Sequence, residues 1–148
     1  MSIKYVFIDF DGCMHTYSSD ARCDLAKNLR IIIKAFPDIK FVFSTSWSEY
    51  QPFEKLLSYM PIDIQSYFVG NTTITKRYEC KHVRYWECKA WLKQYDPSCT
   101  KSEWIAIDDN SYLFPPECQN LFLCDPKIGF SEAVANQFIN VIIERANE

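Results

Sequence analysis

Two apolar runs in this sequence end in paired carboxylates: FIDFDG carries Asp9 and Asp11, and WIAIDDN carries Asp108 and Asp109. Brought to one rim, four such groups repel unless a cation or a proton intervenes, because like charges a few ångströms apart do not all stay ionised. Magnesium (Mg2+) suits the set. It accepts oxygen ligands only, needs one or two protein carboxylates, and keeps positions for water and a substrate phosphate. The plainer alternatives are a capped loop and a calcium loop. An EF-hand loop starting at Asp9 would need an oxygen ligand at its fifth position and a bidentate glutamate at its twelfth, where the chain has Cys13 and Asp20.

The elements that must carry these residues follow from hydrophobic spacing. Ile3 to Asp9 is an apolar run of strand length, the pattern of a strand buried on both faces of a parallel sheet. Leu25, Leu29, Ile32, Ile33 and Phe36 recur at helical spacing, and Pro37 stops that helix. Lys40 to Phe43 predicts a second strand, which delivers Ser44 and Thr45 at its end. Ser46 and Glu49 fit the S-x-x-E capping box, which predicts a helix from Ser46 to about Tyr59. Tyr67 to Val69 predicts a short strand ending at Gly70, Val83 to Tyr95 a helix, Trp104 to Ile107 a fourth strand and Leu121 to Cys124 a fifth. Phe130, Ala133, Val134, Phe138, Val141 and Ile142 mark a closing helix. Strand and helix alternate throughout, so the class is α/β: a three-layer α/β/α Rossmann-like fold around a central parallel sheet. Ligands of such sheets bind past the carboxyl ends of the strands. Those ends hold Asp9 and Asp11, Ser44 and Thr45, Gly70 and Asn71, and Asp108 and Asp109.

Composition bounds the rest. The 148 residues predict a single domain over 1–148, and 48% hydrophobic residues with only 3 glycines exclude a disordered or collagen-like chain. No apolar run has the length of a membrane span, and Asp9 comes too early for a signal-peptide core, so the expected compartment is the cytoplasm, away from membranes. The 7 cysteines form no CxxC pair and are expected to be mostly buried, reduced thiols. Cys80, His82 and Cys88 are the nearest approach to a zinc cluster, but they lack the paired spacing of a structural site.

The formal charge of -3 argues against non-specific attraction to nucleic acid, yet the charge is unevenly spread. Between Lys76 and Lys101 the balance is +4, from Lys76, Arg77, Lys81, Arg84, Lys89, Lys93 and Lys101 against Glu79, Glu87 and Asp96. Tyr78, Tyr85, Trp86, Trp91 and Tyr95 interleave with them. The mixture suits an anionic ligand with stackable groups; a solvated helix face with ordinary core aromatics reads equally well.

FIDFDG resembles the first motif of the haloacid dehalogenase (HAD) superfamily of phosphotransferases and phosphatases. It comes with the Ser/Thr of FVFSTSW, a basic residue before the fourth strand, and the acid pair of WIAIDDN, in the superfamily's order. More narrowly, the chain is similar to the small HAD domains of Swiss Army Knife RNA-repair proteins, relatives of polynucleotide end-processing phosphatases. The matching stretches are DFDGCMH, STSW, GNTT, RYWECKAWL, AIDDN and IGFSEA, from Ile3 to about Ala135. Cys13 departs from the larger apolar residue usual after the glycine, and Ser48 stands where the narrower family tends to have arginine.

The resemblance implies a magnesium-dependent phosphohydrolase with a capless HAD fold. In it Asp9 is the nucleophile that becomes an aspartyl-phosphate, and Asp11 is the acid for the leaving oxygen and later the base for water. Asp9, Asp11, Asp108 and Asp109 form the metal set, with Asp109 as the direct ligand of the last pair, Asp108 acting through water, and Asn110 as a further candidate. Ser44 or Thr45 donates to a phosphate oxygen, the strand-end position favouring Ser44, and the helix start at Ser46 adds backbone donors. Arg84 is the expected cation for the phosphoryl oxygens; Lys81 and Lys89 compete for that role, and Arg84 could instead pair only with Glu87, three residues along the helix.

Between Asp11 and Ser44 lie 32 residues and between Thr45 and Arg84 lie 38, which the predicted elements use up, leaving no room for a cap domain. An open rim suits a phosphate presented on something large, or one closed by a second copy, so monomer and homodimer both stay open. The segment from Cys13 to Arg22 is a candidate flap, with His15 and Tyr17 near the entrance. Three functions compete: a phosphatase of nucleic-acid ends or nucleotides, a phosphatase of a protein or small metabolite, and a non-catalytic binding module. The second loses ground because superfamily protein phosphatases usually carry DxDxT and this chain has Cys13 in place of the threonine. A receiver-like module would need its aspartate at the end of a central strand where Ser44 or Gly70 stands.

Overall fold

A computed structural model describes residues 3–74 and 81–147. Alternation along each strand decides which layer its side chains join. In β1 (Tyr5–Ile8), Val6 and Ile8 face one layer and Phe7 the other. The same alternation runs through β2 (Lys40–Phe43) and β4 (Trp104–Asp108), while β3 (Phe68–Asn71) and β5 (Leu121–Leu123) form the edges. The five strands are parallel throughout, in the order β3-β2-β1-β4-β5.

Helices cover both faces. On one, Val6, Ile8, Phe41, Phe43, Ile105 and Ile107 meet α1 (Leu29–Ala35), α2 (Phe53–Leu57) and α4 (Glu132–Ala146) through Leu29, Ile32, Leu56, Ala135, Phe138 and Ile142. On the other, Phe7, Val42, Trp104 and Ala106 meet α3 (Val83–Tyr95) through Cys88, Trp91 and Leu92. Phe7 is the hub of that second layer, edge-on to Trp91 and Trp104 with centroids 5.8 and 5.5 Å away. Truncating it to alanine would cost about 3–5 kcal/mol. Ser131 caps α4 by accepting the Val134 N–H at 3.2 Å, and Pro37 follows directly on the end of α1.

One predicted element is corrected. The helix expected from Ser46 to Tyr59 is a 3-10 turn over Ser46–Glu49 followed by the separate α2. Pro52, without an N–H to continue the ladder, divides them. The cap is Thr45, whose hydroxyl accepts the Trp47 N–H at 3.3 Å, so no capping box starts at Ser46 and a four-residue turn replaces the expected helix N-terminus.

The chain lays β2 and β3 on one side of β1, then crosses to the other side for β4 and β5. Strand order therefore reverses between β1 and β4, and ligands of open parallel sheets bind in the crevice past the strand ends at such a reversal. Asp9 follows β1 and Asp108 closes β4. Between Asp11 and Ser44 and between Thr45 and Arg84 the described residues add only the 3-10 turns Ala26–Asn28 and Ile62–Tyr67 beside the elements already named; they build no cap. No helix among them is long and apolar enough to cross a membrane.

Candidate active site

Asp9 leaves β1 with its N–H bonded to the Ile107 carbonyl at 3.1 Å, which fastens the β1 end to β4. Its carboxyl is buried. Arg84 reaches it from the first turn of α3: Nη1 donates to Asp9 Oδ1 at 3.3 Å and to the Ser44 carbonyl, and lies 3.5 Å from Asp108 Oδ2. Nε stands 3.6 Å from Glu87 Oε1. A cation in the first turn opposes the helix dipole by about 0.3–1 kcal/mol, so these carboxylates, not helix propensity, keep Arg84 there. Of the three cations the sequence left open, Arg84 is the one against Asp9; Lys89 is exposed on α3.

Three buried carboxylates thus surround one buried guanidinium, and negative charge is in excess. Burial, then the charge of Asp108, push Asp9 well above the usual carboxylate range against the pull of Arg84. Burial likewise raises Asp108, to about 6. Arg84 stays charged, because Asp9, Asp108 and Glu87 outweigh its own desolvation. Asp108 Oδ1 accepts the Asn110 N–H at 3.0 Å, while Oδ2 is buried without a hydrogen-bond partner.

Asp11 stands in different surroundings, with its side chain 45% exposed. Trp47 Nε1 donates to Oδ2 at 3.0 Å and His15 Nε2 lies 2.9 Å from Oδ1. His15 Nδ1 accepts the Cys23 N–H at 3.1 Å, which leaves the ring hydrogen on Nε2 and makes it the donor to Asp11. Sequence reasoning named His15 as an entrance residue but gave Trp47 no role; the available signal was an indole N–H, which seeks a partner when half-buried. In the segment from Cys13 to Arg22 the Tyr17 hydroxyl donates to Asp109 Oδ2, which brings that residue against the acid pair.

Gly12 makes this closeness possible. Its φ of +77° lies in the left-handed region, and a Cβ there would sit 2.8 Å from Asp109 Cγ. Ser44 and Thr45 diverge: the Ser44 hydroxyl is 3.6 Å from Cys88 Sγ under α3, whereas Thr45, also buried, caps the Ser46–Glu49 turn beside Trp47.

The donor set fits a hard divalent cation. Asp9, Cys13 and Asp109 offer ligand atoms within 4.8 Å of one another. Burial pushes the Cys13 thiol well up, so it remains protonated and the two carboxylates are the usable ligands, with Asp108 behind them. The Asp11 carboxyl, occupied by His15 and Trp47, is not among the three, and Asn110 Oδ1 accepts the Tyr112 N–H. Of the zinc candidates, Cys80 lies outside the described residues and Cys88 is buried against Ser44. Lys76, Arg77, Tyr78 and Glu79 of the basic segment also lie outside them; within it Trp91 is core while Trp86 and Tyr95 are exposed.

A five-stranded parallel sheet between helices, acidic at the tips of its β1 and β4 strands and with no cap among the described residues, is the Rossmann-like fold of the HAD class. The sequence matches the family described as "HAD domain in Swiss Army Knife RNA repair proteins" over residues 5–135, and the chain belongs to that family. No match was found among curated proteins. Membership implies a metal-dependent phosphohydrolase of the HAD type.

Proposed function

We propose that this chain is a magnesium-dependent phosphomonoesterase that removes phosphate from nucleic-acid ends through a phosphorylated Asp9. The observation that carries the reading is the contact of Arg84 with both Asp9 and Asp108 where strand order reverses. An Asp9 oxygen attacks phosphorus, the bond to the leaving oxygen breaks, and Asp11 gives that oxygen a proton. Water then attacks the aspartyl-phosphate, Asp11 takes its proton, and phosphate departs with Asp9 restored. Arg84 binds the phosphoryl oxygens as their charge spreads in the loose transition state. Ser44 or Thr45 donates to a phosphoryl oxygen; the Ser44 hydroxyl lies 3.6 Å from Cys88 Sγ, and the Thr45 hydroxyl accepts the Trp47 N–H. Held by Asp9 and Asp109, magnesium would supply charge neutralisation for a nucleophile whose carboxyl burial pushes well above the usual carboxylate range. His15 and Trp47 hold the Asp11 carboxyl in one orientation for its two proton transfers. Membership in an RNA-repair family and the open rim support a polynucleotide end as substrate.

The test is a panel of 4-nitrophenyl phosphate, 3'- and 5'-phosphorylated oligonucleotides, nucleotides and phosphopeptides with magnesium. Release from oligonucleotide ends is expected, and Asp9→Asn should keep the fold while turnover drops at least about 10³-fold. Near-normal turnover in that variant would remove Asp9 from the chemistry.

A further inference from the structure

Asp11 lines a second space, a hollow of about 380 Å³ bounded by Arg22, Ser46, Trp47, Tyr50 and Gln51. That volume lies within the range of small-molecule sites. One wall is fixed: Trp47 packs edge-on against Phe10 and Tyr59, with centroids 5.0 and 5.3 Å away, and the Tyr59 hydroxyl donates to Gln51 Oε1 at 2.7 Å. The other wall is uncommitted. Tyr50 is 82% exposed and has no ring partner among the described residues. Arg22 is exposed, 5.9 Å from the Tyr59 ring centroid, and forms no ion pair among them.

We propose that this hollow receives the leaving nucleotide of a terminally phosphorylated oligonucleotide, its base stacking on Tyr50 and its next phosphate along the strand meeting Arg22. The inference rests on reading Asp11 as the acid. If Asp11 protonates the leaving oxygen, the group attached to that oxygen extends into the space Asp11 lines. An aromatic face accepts any base, and a guanidinium fork matches the oxygens of a phosphodiester. Two such groups select a substrate with a second phosphate over a mononucleotide. The groove on α3 lined by Trp86, Lys89 and Lys93, where the sequence placed its basic and aromatic residues, includes none of the acidic rim residues.

The measurement is the ratio of kcat/KM on a terminally phosphorylated oligoribonucleotide to kcat/KM on 4-nitrophenyl phosphate, taken with magnesium on the full chain. Tyr50→Ala should lower the ratio about tenfold, and Tyr50→Trp should keep it. Arg22→Ala should lower it about tenfold on the oligonucleotide and leave the corresponding mononucleotide ratio in place. An active wild type whose ratio is unmoved by both alanine variants overturns this inference alone, as does a ratio that falls with Lys89→Ala or Lys93→Ala instead. A wild type inert toward both substrates overturns the phosphatase reading and this inference with it.

Discussion

The two aspartates of DFDG sit two residues apart and live in opposite environments. Asp9 is buried, fastened to β4, and shares one guanidinium with Asp108 and Glu87. Asp11 is half-exposed, tied to His15 and Trp47, and opens onto a hollow with polar and aromatic walls. The contrast teaches how one short loop can hold a nucleophile and a proton carrier at once. Low dielectric makes charge compensation at Asp9 worth most, whereas Asp11 must reach both solvent protons and a leaving group. The chain leaves the strand after Ile8, so the alternation that would put residues two apart on one face no longer binds Asp9 and Asp11, and Gly12 lets the loop turn back under Asp109.

The comparison breaks hardest at Arg84. Arg84→Ala leaves Asp9 and Asp108 without their shared cation, so kcat should fall about 10²- to 10³-fold. At physiological pH the variant should also lose about 3–5 kcal/mol of stability, read by urea denaturation, because the buried carboxylates lose their partner. An Arg84→Ala enzyme with near wild-type kcat would show that the guanidinium only holds α3 in place.

On the other side, His15→Phe keeps a ring beside Trp47, 5.5 Å between centroids in the native pair, and removes the donor to Asp11. Turnover of an alkyl phosphate, whose leaving oxygen needs a proton, should fall about tenfold more than that of 4-nitrophenyl phosphate, and His15→Gln should recover part of the difference. Equal losses on both esters would make His15 a packing residue alone.

The smallest effect is expected in stability against pH. Asp108 ionises at 3.8 in an unfolded chain and at about 6 in the fold. Its contribution to stability is therefore complete below the lower value and is lost as pH rises through the upper one. With metal chelated, Tm should drop by roughly 5 °C between pH 5 and pH 7.5 on this account, with Asp9 acting in the same direction. Asp108→Asn should flatten that drop, and added magnesium should restore Tm at pH 7.5 in the native protein. A drop unchanged in Asp108→Asn would assign the proton to another group.

The sheet and its acidic tips were legible because β1 and β4 are buried on both faces, so their apolar runs are unbroken until Asp9 and Asp108. Helix α3 was legible to the residue, from Val83 to Tyr95. The segment after β2 was not: Ser46 and Glu49 imitate a capping box, while Thr45 takes the cap and Pro52 divides the turn from α2. Which cation meets Asp9 depends on how α3 docks on the sheet, a long-range packing fact that local spacing does not carry. The same holds for Trp47, whose bond to Asp11 spans 36 residues, and for the separation of Ser44 from Thr45 at the strand exit.

The most direct test traps the nucleophile itself. Enzyme and magnesium are mixed with excess substrate, quenched in acid, reduced with borohydride and digested for mass spectrometry. A substrate-dependent reduction of the side chain at position 9, with Asp11, Asp108 and Asp109 unaltered, is the result predicted here. Continued turnover with no modification at Asp9, or with the modification on another residue, would contradict it.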